Sequence, residues 1–258
     1  MSLTASSRTR GIFAGSYTPG NTVTNLIQFV TIASTGDSVD FGGDLTTTRR
    51  SGHSASSSTR GVFAGGFDNS DRVNTIDYMT IASTGTNAQD FGDLIQKGMD
   101  GGGYTVSSQT RGVFAGGDTP GAKVNLIQYI TISTLGNAAD FGDLNQLRGS
   151  VAGASNATIG LVGGGASPTY FSSIDKITLA TLGDAVDYGD LLAVNASHGA
   201  GASPTRIIFT GGYSPSGPTK VDVIQYKQFA SGADCVDFGN LLNACAVPHP
   251  LTNGHGGL

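Results

Sequence analysis

The sequence predicts an all-β fold, a five-bladed β-propeller with four antiparallel strands per blade. Three observations carry that prediction: one sentence written five times along the chain, turn signals every 8 to 12 residues, and a composition that favours turns over helices. The clearest copy reads RGVFAGG at 60–66, NTIDYMTI at 74–81 and DFGDL at 90–94. The same words recur at 10–15, 25–32 and 40–45, and again at 111–117, 125–132 and 140–144. Two looser copies follow, at 159–164 with 187–191 and at 206–212 with 237–241. Their anchoring residues Asp40, Asp90, Asp140, Asp187 and Asp237 lie 50, 50, 47 and 50 residues apart. A lone repeat of this length cannot bury its own apolar face, so the five copies imply one domain over residues 1–258.

The second repeat justifies each strand in turn. Residues 52–57 are small and polar and suit strand a, the innermost position, where space is tight. A turn at 58–61 leads to a short apolar strand b at 62–64, closed by Gly65 and Gly66. A polar loop, 67–73, precedes strand c at 75–81, with Ile76, Tyr78 and Thr80 on one face and Asp77, Met79 and Ile81 on the other. Strand d spans 88–94. Strand c is apolar on both faces because each blade is sandwiched between two others. Ring closure is assigned to the C-terminal segment 243–253, pairing with the first blade as its strand a; residues 5–10, which match 55–60, compete for that place.

Composition narrows the function. Gly is 40 of 258 residues, about twice the usual share, and all 19 acidic residues are Asp, which suits turns as Glu suits helices. A net charge of −5 with no basic run beyond Arg49 and Arg50 speaks against nucleic acid and anionic membranes as partners. No stretch is apolar enough for a bilayer-spanning helix, and residues 1–10 lack a signal-peptide core, so synthesis in the cytoplasm without export by its own signal is expected. Cys235 and Cys245 read as reduced thiols on neighbouring strands, with a disulfide as the alternative.

The repeat resembles kelch. The run from Arg50 to Ala55, the Gly-Gly after strand b, the Ile-Asp-Tyr of strand c and the strand-d aromatic fall in kelch order. Phe41, Phe91, Phe141, Tyr188 and Phe238 stand where kelch usually has Trp. More narrowly, TRGVFAGG, NTIDYMTIAS and DFGDL are similar to kelch-like repeats of bacteriophage tail-associated proteins, notably those of cyanobacterial phages. The resemblance implies a virion protein, in a tail fibre or on the particle surface, assembled with other tail proteins and as a homo-oligomer. The fourth repeat departs most, with Ile159 for Arg and Lys176 for the strand-c Tyr.

Each chemical motif has a structural reading beside it. The Asp-Phe-Gly copies lack the other kinase motifs and are expected to accept backbone N–H bonds at the entry to strand d. A calcium site from Asp90 with Asp93, or Asp40 with Asp44, lacks a known ligand spacing. Arg10, Arg60, Arg111 and Arg206 recur in the a–b turn and are expected to bond a carboxylate or carbonyl at a blade junction. His53, His198 and His249 fall close in repeat register and are weak metal candidates. No catalytic constellation and no cofactor motif stands out.

Strands alternate in direction, so the a–b and c–d turns share one face and the b–c and d–a loops share the other. The first face repeats; the second differs in every blade, at 16–24, 67–73, 118–124, 166–172 and 213–221. Four of those five loops hold an aromatic: Tyr17, Phe67, Tyr170 with Phe171, and Tyr213. Aromatic planes among hydroxyls and amides suit sugars, so these residues, aided by Arg49, Arg72 and Lys220, are the candidate binding set for a host-surface glycan or receptor. A purely structural virion subunit is the alternative, and a lectin-like or glycan-processing extracellular protein a second.

Overall fold

A computed structural model describes residues 3–20, 22–97, 104–215, 220–246 and 248. Among these the chain is all-β, with five four-stranded antiparallel sheets arranged as the blades of a β-propeller. Blade 1 is β1 (Leu3–Ser6), β2 (Arg10–Tyr17), β3 (Val23–Thr31) and β4 (Val39–Asp44). Blade 2 is β5 (His53–Ser56), β6 (Arg60–Ala64), β7 (Thr75–Thr80) and β8 (Gln89–Asp93). Blade 3 is β9 (Tyr104–Ser107), β10 (Arg111–Asp118), β11 (Lys123–Thr131) and β12 (Ala139–Asp143). Blade 4 is β13 (Ala152–Ser155), β14 (Ile159–Gly163), β15 (Ser173–Thr178) and β16 (Val186–Asp190). Blade 5 is β17 (Gly199–Ala202), β18 (Arg206–Thr210), β19 (Val221–Gln228) and β20 (Val236–Cys245).

Each blade is a meander in sequence order, and the short first strands β1, β5, β9, β13 and β17 adjoin one another in series. The two faces of strand c separate as the alternation requires. Ile76 and Tyr78 face blade 3, in a core with Phe91, Phe114 and Ile130. Met79 faces blade 1, in a core with Ile12, Ile27, Phe41 and Phe63. Strand d carries a bulge opposite strand c, where a glycine takes positive φ (+142° at Gly92). A Cβ there would come within 2.5 Å of the Gly136 carbonyl, so backbone meets backbone across the junction. The Gly85, Gly136 and Gly183 N–H groups donate to the Phe41, Phe91 and Phe141 carbonyls at 2.7, 2.8 and 2.7 Å. A main-chain seam thus joins each of these blades to the next.

Ring closure departs from the sequence expectation. Strand a of blade 1 is β1, with Leu3 opposite Ala14 and Ser6 opposite Gly11. Leu3 and Ala5 are buried in the core shared with blade 2, which holds the N-terminal strand in place. Residues 243–245, expected there, instead lengthen β20, with Cys245 opposite Val221. Residues 247 and 249–253 lie outside the described residues.

Four apolar cores fill the junctions between consecutive blades from 1 to 5. Among the described residues, no such core joins blade 5 to blade 1. Phe238 is 58% exposed where its counterpart Phe91 is 3% exposed. On the facing side, Phe13 and Ile32 are 40% and 57% exposed, where Phe63 and Ile81 are 0% and 1%.

Candidate functional site

The b–c and d–a loops lie together on one face, as the alternation of strands requires. Backbone bridges join Arg50 to Phe67, Gly149 to Ala166 and Ala196 to Tyr213, each linking a d–a loop to the b–c loop of the blade it enters. Arg50 is the centre of the best-formed cluster on this face. Its guanidinium carbon lies 4.5 Å from the ring centre of Tyr17 in blade 1 and 4.7 Å from that of Phe67 in blade 2. Tyr17 is 43% exposed, so the stack is open to solvent on one side. The Asp68 carboxylate accepts the Asp71 and Ser70 N–H bonds (2.8 and 2.9 Å), which hold it below its usual pKa and fix the turn beside Phe67. Lys97 reaches Asp71 at 3.1 Å and ties this loop to the d–a loop that follows.

The other predicted residues are spread around the face. Arg72 is half-buried and bridges Phe67 through its backbone. Tyr170 and Phe171 are half-buried in blade 4, Tyr213 is half-buried in blade 5, and Lys220 is exposed. The structure brings Tyr17 and Phe67 together through Arg50, and among the described residues no ring or cation–ring contact joins them to Tyr170, Phe171 or Tyr213.

Arg49 needs correction. It is fully buried, and its guanidinium pairs with Asp77 at 2.6 Å while donating to the Thr75 and Phe63 carbonyls at 2.8 and 3.2 Å. Burial lowers its pKa, and the Asp77 charge opposes that. It braces blade 1 against blade 2 and has no surface to offer a ligand. Arg148 and Asp175 repeat the pair at 2.6 Å two blades on, again fully buried. That recurrence was the sequence signal for a structural role; Arg50, the neighbour of Arg49, is the one that reaches the rings of the variable face.

The repetitive face is structural. Asp40, Asp90, Asp140, Asp187 and Asp237 each accept the N–H of the glycine two residues on, at 2.8 to 3.3 Å. The Arg10, Arg60 and Arg111 guanidiniums lie over Phe29, Tyr78 and Tyr129 and donate to the Ile81, Ile132 and Leu179 carbonyls of the next blade at 2.8, 2.7 and 2.6 Å. Blade 4, with Ile159 in that place, uses another donor: the Tyr188 hydroxyl reaches the Phe229 carbonyl at 2.9 Å. Lys176 stacks on the same ring, its Nζ 4.4 Å from the centre.

The histidines do not share an environment. His53 packs on Phe114 and meets the Thr105 hydroxyl at 3.3 Å through Nδ1. His198 packs on Phe209, one register step away, in the position of Gly52 and Val151. Its burial, aided by the Arg148 charge, pushes its pKa down to about 3. His249 lies outside the described residues. Cys235 and Cys245 are free thiols, the first just before strand β20 and the second its last residue, and not on neighbouring strands as expected. Burial raises the Cys235 pKa to about 12.

No protein-family model and no curated protein sequence matches the chain.

Proposed function

We propose that the chain is a non-catalytic binding module of a bacteriophage particle, with the b–c and d–a loops as its recognition face. The observation that carries this reading is the division of the molecule into a face that repeats and a face that does not. A structural role must recur with the blades, as the junction arginines do, whereas a recognition role is free to differ in each. The Tyr17–Arg50–Phe67 stack is the strongest ligand feature on the variable face: two aromatic planes, one with a phenol at its edge, set around a cation. Such a surface suits a glycan whose apolar ring faces stack and whose acidic or hydroxyl groups meet the guanidinium. The phage assignment rests on the wording of the repeats, and the ligand class on the chemistry of the loops.

The test is a glycan array and host-cell binding with an oligomerised form of the full chain, since single contacts of this kind are weak. Tyr17→Ala with Phe67→Ala should abolish binding, and changes in the Ser-Thr-Arg-Gly turns should leave it intact. The reverse result would place recognition on the repetitive face. A second reading, a structural virion subunit, is favoured by one observation: the uncovered apolar faces of blades 1 and 5. A particle reconstruction that buries the variable loops against other virion proteins would select it.

A further inference from the structure

The uncovered faces of blades 5 and 1 are not random apolar surface. Each repeats one half of the junction that the chain builds four times. In blades 1 to 3 the half sent forward consists of an arginine over an aromatic, a strand-d aromatic, a leucine and a glycine in positive φ; in blade 4, Tyr188 and Lys176 stand in for the arginine. Blade 5 carries all of it: Arg206 lies 4.8 Å from the centre of Tyr226, Phe238 stands edge-on to Tyr226, and Leu241 and Gly239 (φ +135°) follow. Gly92, Gly142 and Gly189 each meet the turn of the next blade, whereas a Cβ on Gly239 would have nothing within 4 Å.

The receiving half is complete on blade 1. Phe13 and Ile32 occupy the places of Phe63 and Ile81. The Ile32 carbonyl corresponds to the acceptors of Arg10, Arg60 and Arg111. Asp37 corresponds to Asn87, Asn137, Asp184 and Asp234, whose side chains accept the N–H of Asp44, Asp93, Asp143 and Asp190 at 2.9 to 3.1 Å. The matching donor on blade 5 is the N–H of Asn240.

Had the curvature of the four formed junctions returned blade 5 onto blade 1, this fifth junction would form within one molecule, with the advantage of high effective concentration. Both halves are present, and among the described residues no shared core joins them. We propose that a second copy of this chain completes it: blade 5 of one molecule receives blade 1 of the next, with Phe238 seated against Phe13 and Ile32, Arg206 donating to the Ile32 carbonyl, and the Asn240 N–H donating to Asp37. The contact is heterologous, so it generates a ring of copies if the rotation closes and an open assembly if it does not. It is independent of what the variable face binds.

Sedimentation velocity of the full chain over a concentration series tests this. The wild type should gain mass with concentration. Phe238→Asp and Ile32→Asp sit on exposed side chains and should leave the melting temperature unchanged. Each variant alone should remain monomeric, with association weakened more than about tenfold. Mixed together they should form dimers and nothing larger, because one intact sending face meets one intact receiving face. A wild type that stays monomeric at every concentration overturns the proposal, and a drop in melting temperature of Phe238→Asp in that monomer would show that the ring shuts on itself. Single variants that still associate, or a mixture that stays monomeric, overturn it equally.

Discussion

The Tyr188 hydroxyl donates to the Phe229 carbonyl across the junction of blades 4 and 5, where earlier junctions use an arginine from strand b. Three differences in blade 4 therefore belong together: Ile159 removes the guanidinium, Tyr188 adds a hydroxyl to the strand-d ring, and Lys176 supplies a cation over that ring. Tyr188→Phe should cost about 1 kcal/mol, the net worth of one hydrogen bond. In a chain of this size that lowers the melting temperature by roughly 2–4 °C, readable by calorimetry. Restoring the usual set with Ile159→Arg, Lys176→Tyr and Tyr188→Phe together should recover the loss. A triple variant less stable than Tyr188→Phe alone would refute the equivalence.

Two phenylalanines in the same repeat position should respond differently. Phe91→Ala empties a core between blades 2 and 3 and should cost about 3–5 kcal/mol in chemical denaturation. Phe238→Ala, measured at a concentration where the chain is monomeric, should cost less than about 1 kcal/mol, because more than half of the residue is already exposed to water. Equal losses would mean that the fifth junction is formed in the free chain.

The buried Arg49–Asp77 pair should punish single substitutions more than a double one. Asp77→Ala leaves an uncompensated guanidinium and strips the Thr46 N–H and hydroxyl of their acceptor; about 3–5 kcal/mol should be lost. Arg49→Met with Asp77→Leu should lose clearly less, since replacing both charges removes the desolvation penalty as well as the attraction. Urea titrations of the three proteins decide it.

His198 makes stability depend on pH. Its folded pKa of about 3 lies below the ordinary value of 6.5, so between these the unfolded chain binds the extra proton. Stability therefore falls as pH drops below 6.5, and by pH 5 the loss should be about 2 kcal/mol. His198→Gln should flatten the stability profile between pH 7 and 5. An unchanged slope would assign the effect to other groups, the depressed carboxylate of Asp68 being titrated only at lower pH.

The repeat period, the four strands and the separation of Ile76 from Met79 onto opposite faces were legible in the sequence because alternation and spacing are local quantities. The junction role of Arg10, Arg60 and Arg111 was legible for a related reason: what recurs with the blades must serve the blades. Arg49 was misread because adjacent residues in a d–a loop point to opposite sides of the backbone, and its partner Asp77 is 28 residues away. Closure was misread because segments at both ends of the chain resemble strand a. The pairing of Leu3 with Ala14 and the burial of Leu3 and Ala5 against blade 2 distinguish them. The variable face was readable as divergence among copies, but the Tyr17–Arg50–Phe67 stack combines residues from two blades and has no sequence period to reveal it.

The glycine-to-turn seam between blades has a consequence for how such a chain changes over generations. Its bonds at Gly85, Gly136 and Gly183 run from main chain to main chain, so this part of the contact survives when the side chains that fill the space between blades are exchanged. A gene that duplicates or loses one repeat therefore inherits a working hinge at each new boundary, and loop sequences can diversify without renegotiating the stack. Blade number in such an architecture is a matter of copy count, and novelty is free to accumulate at the loop tips.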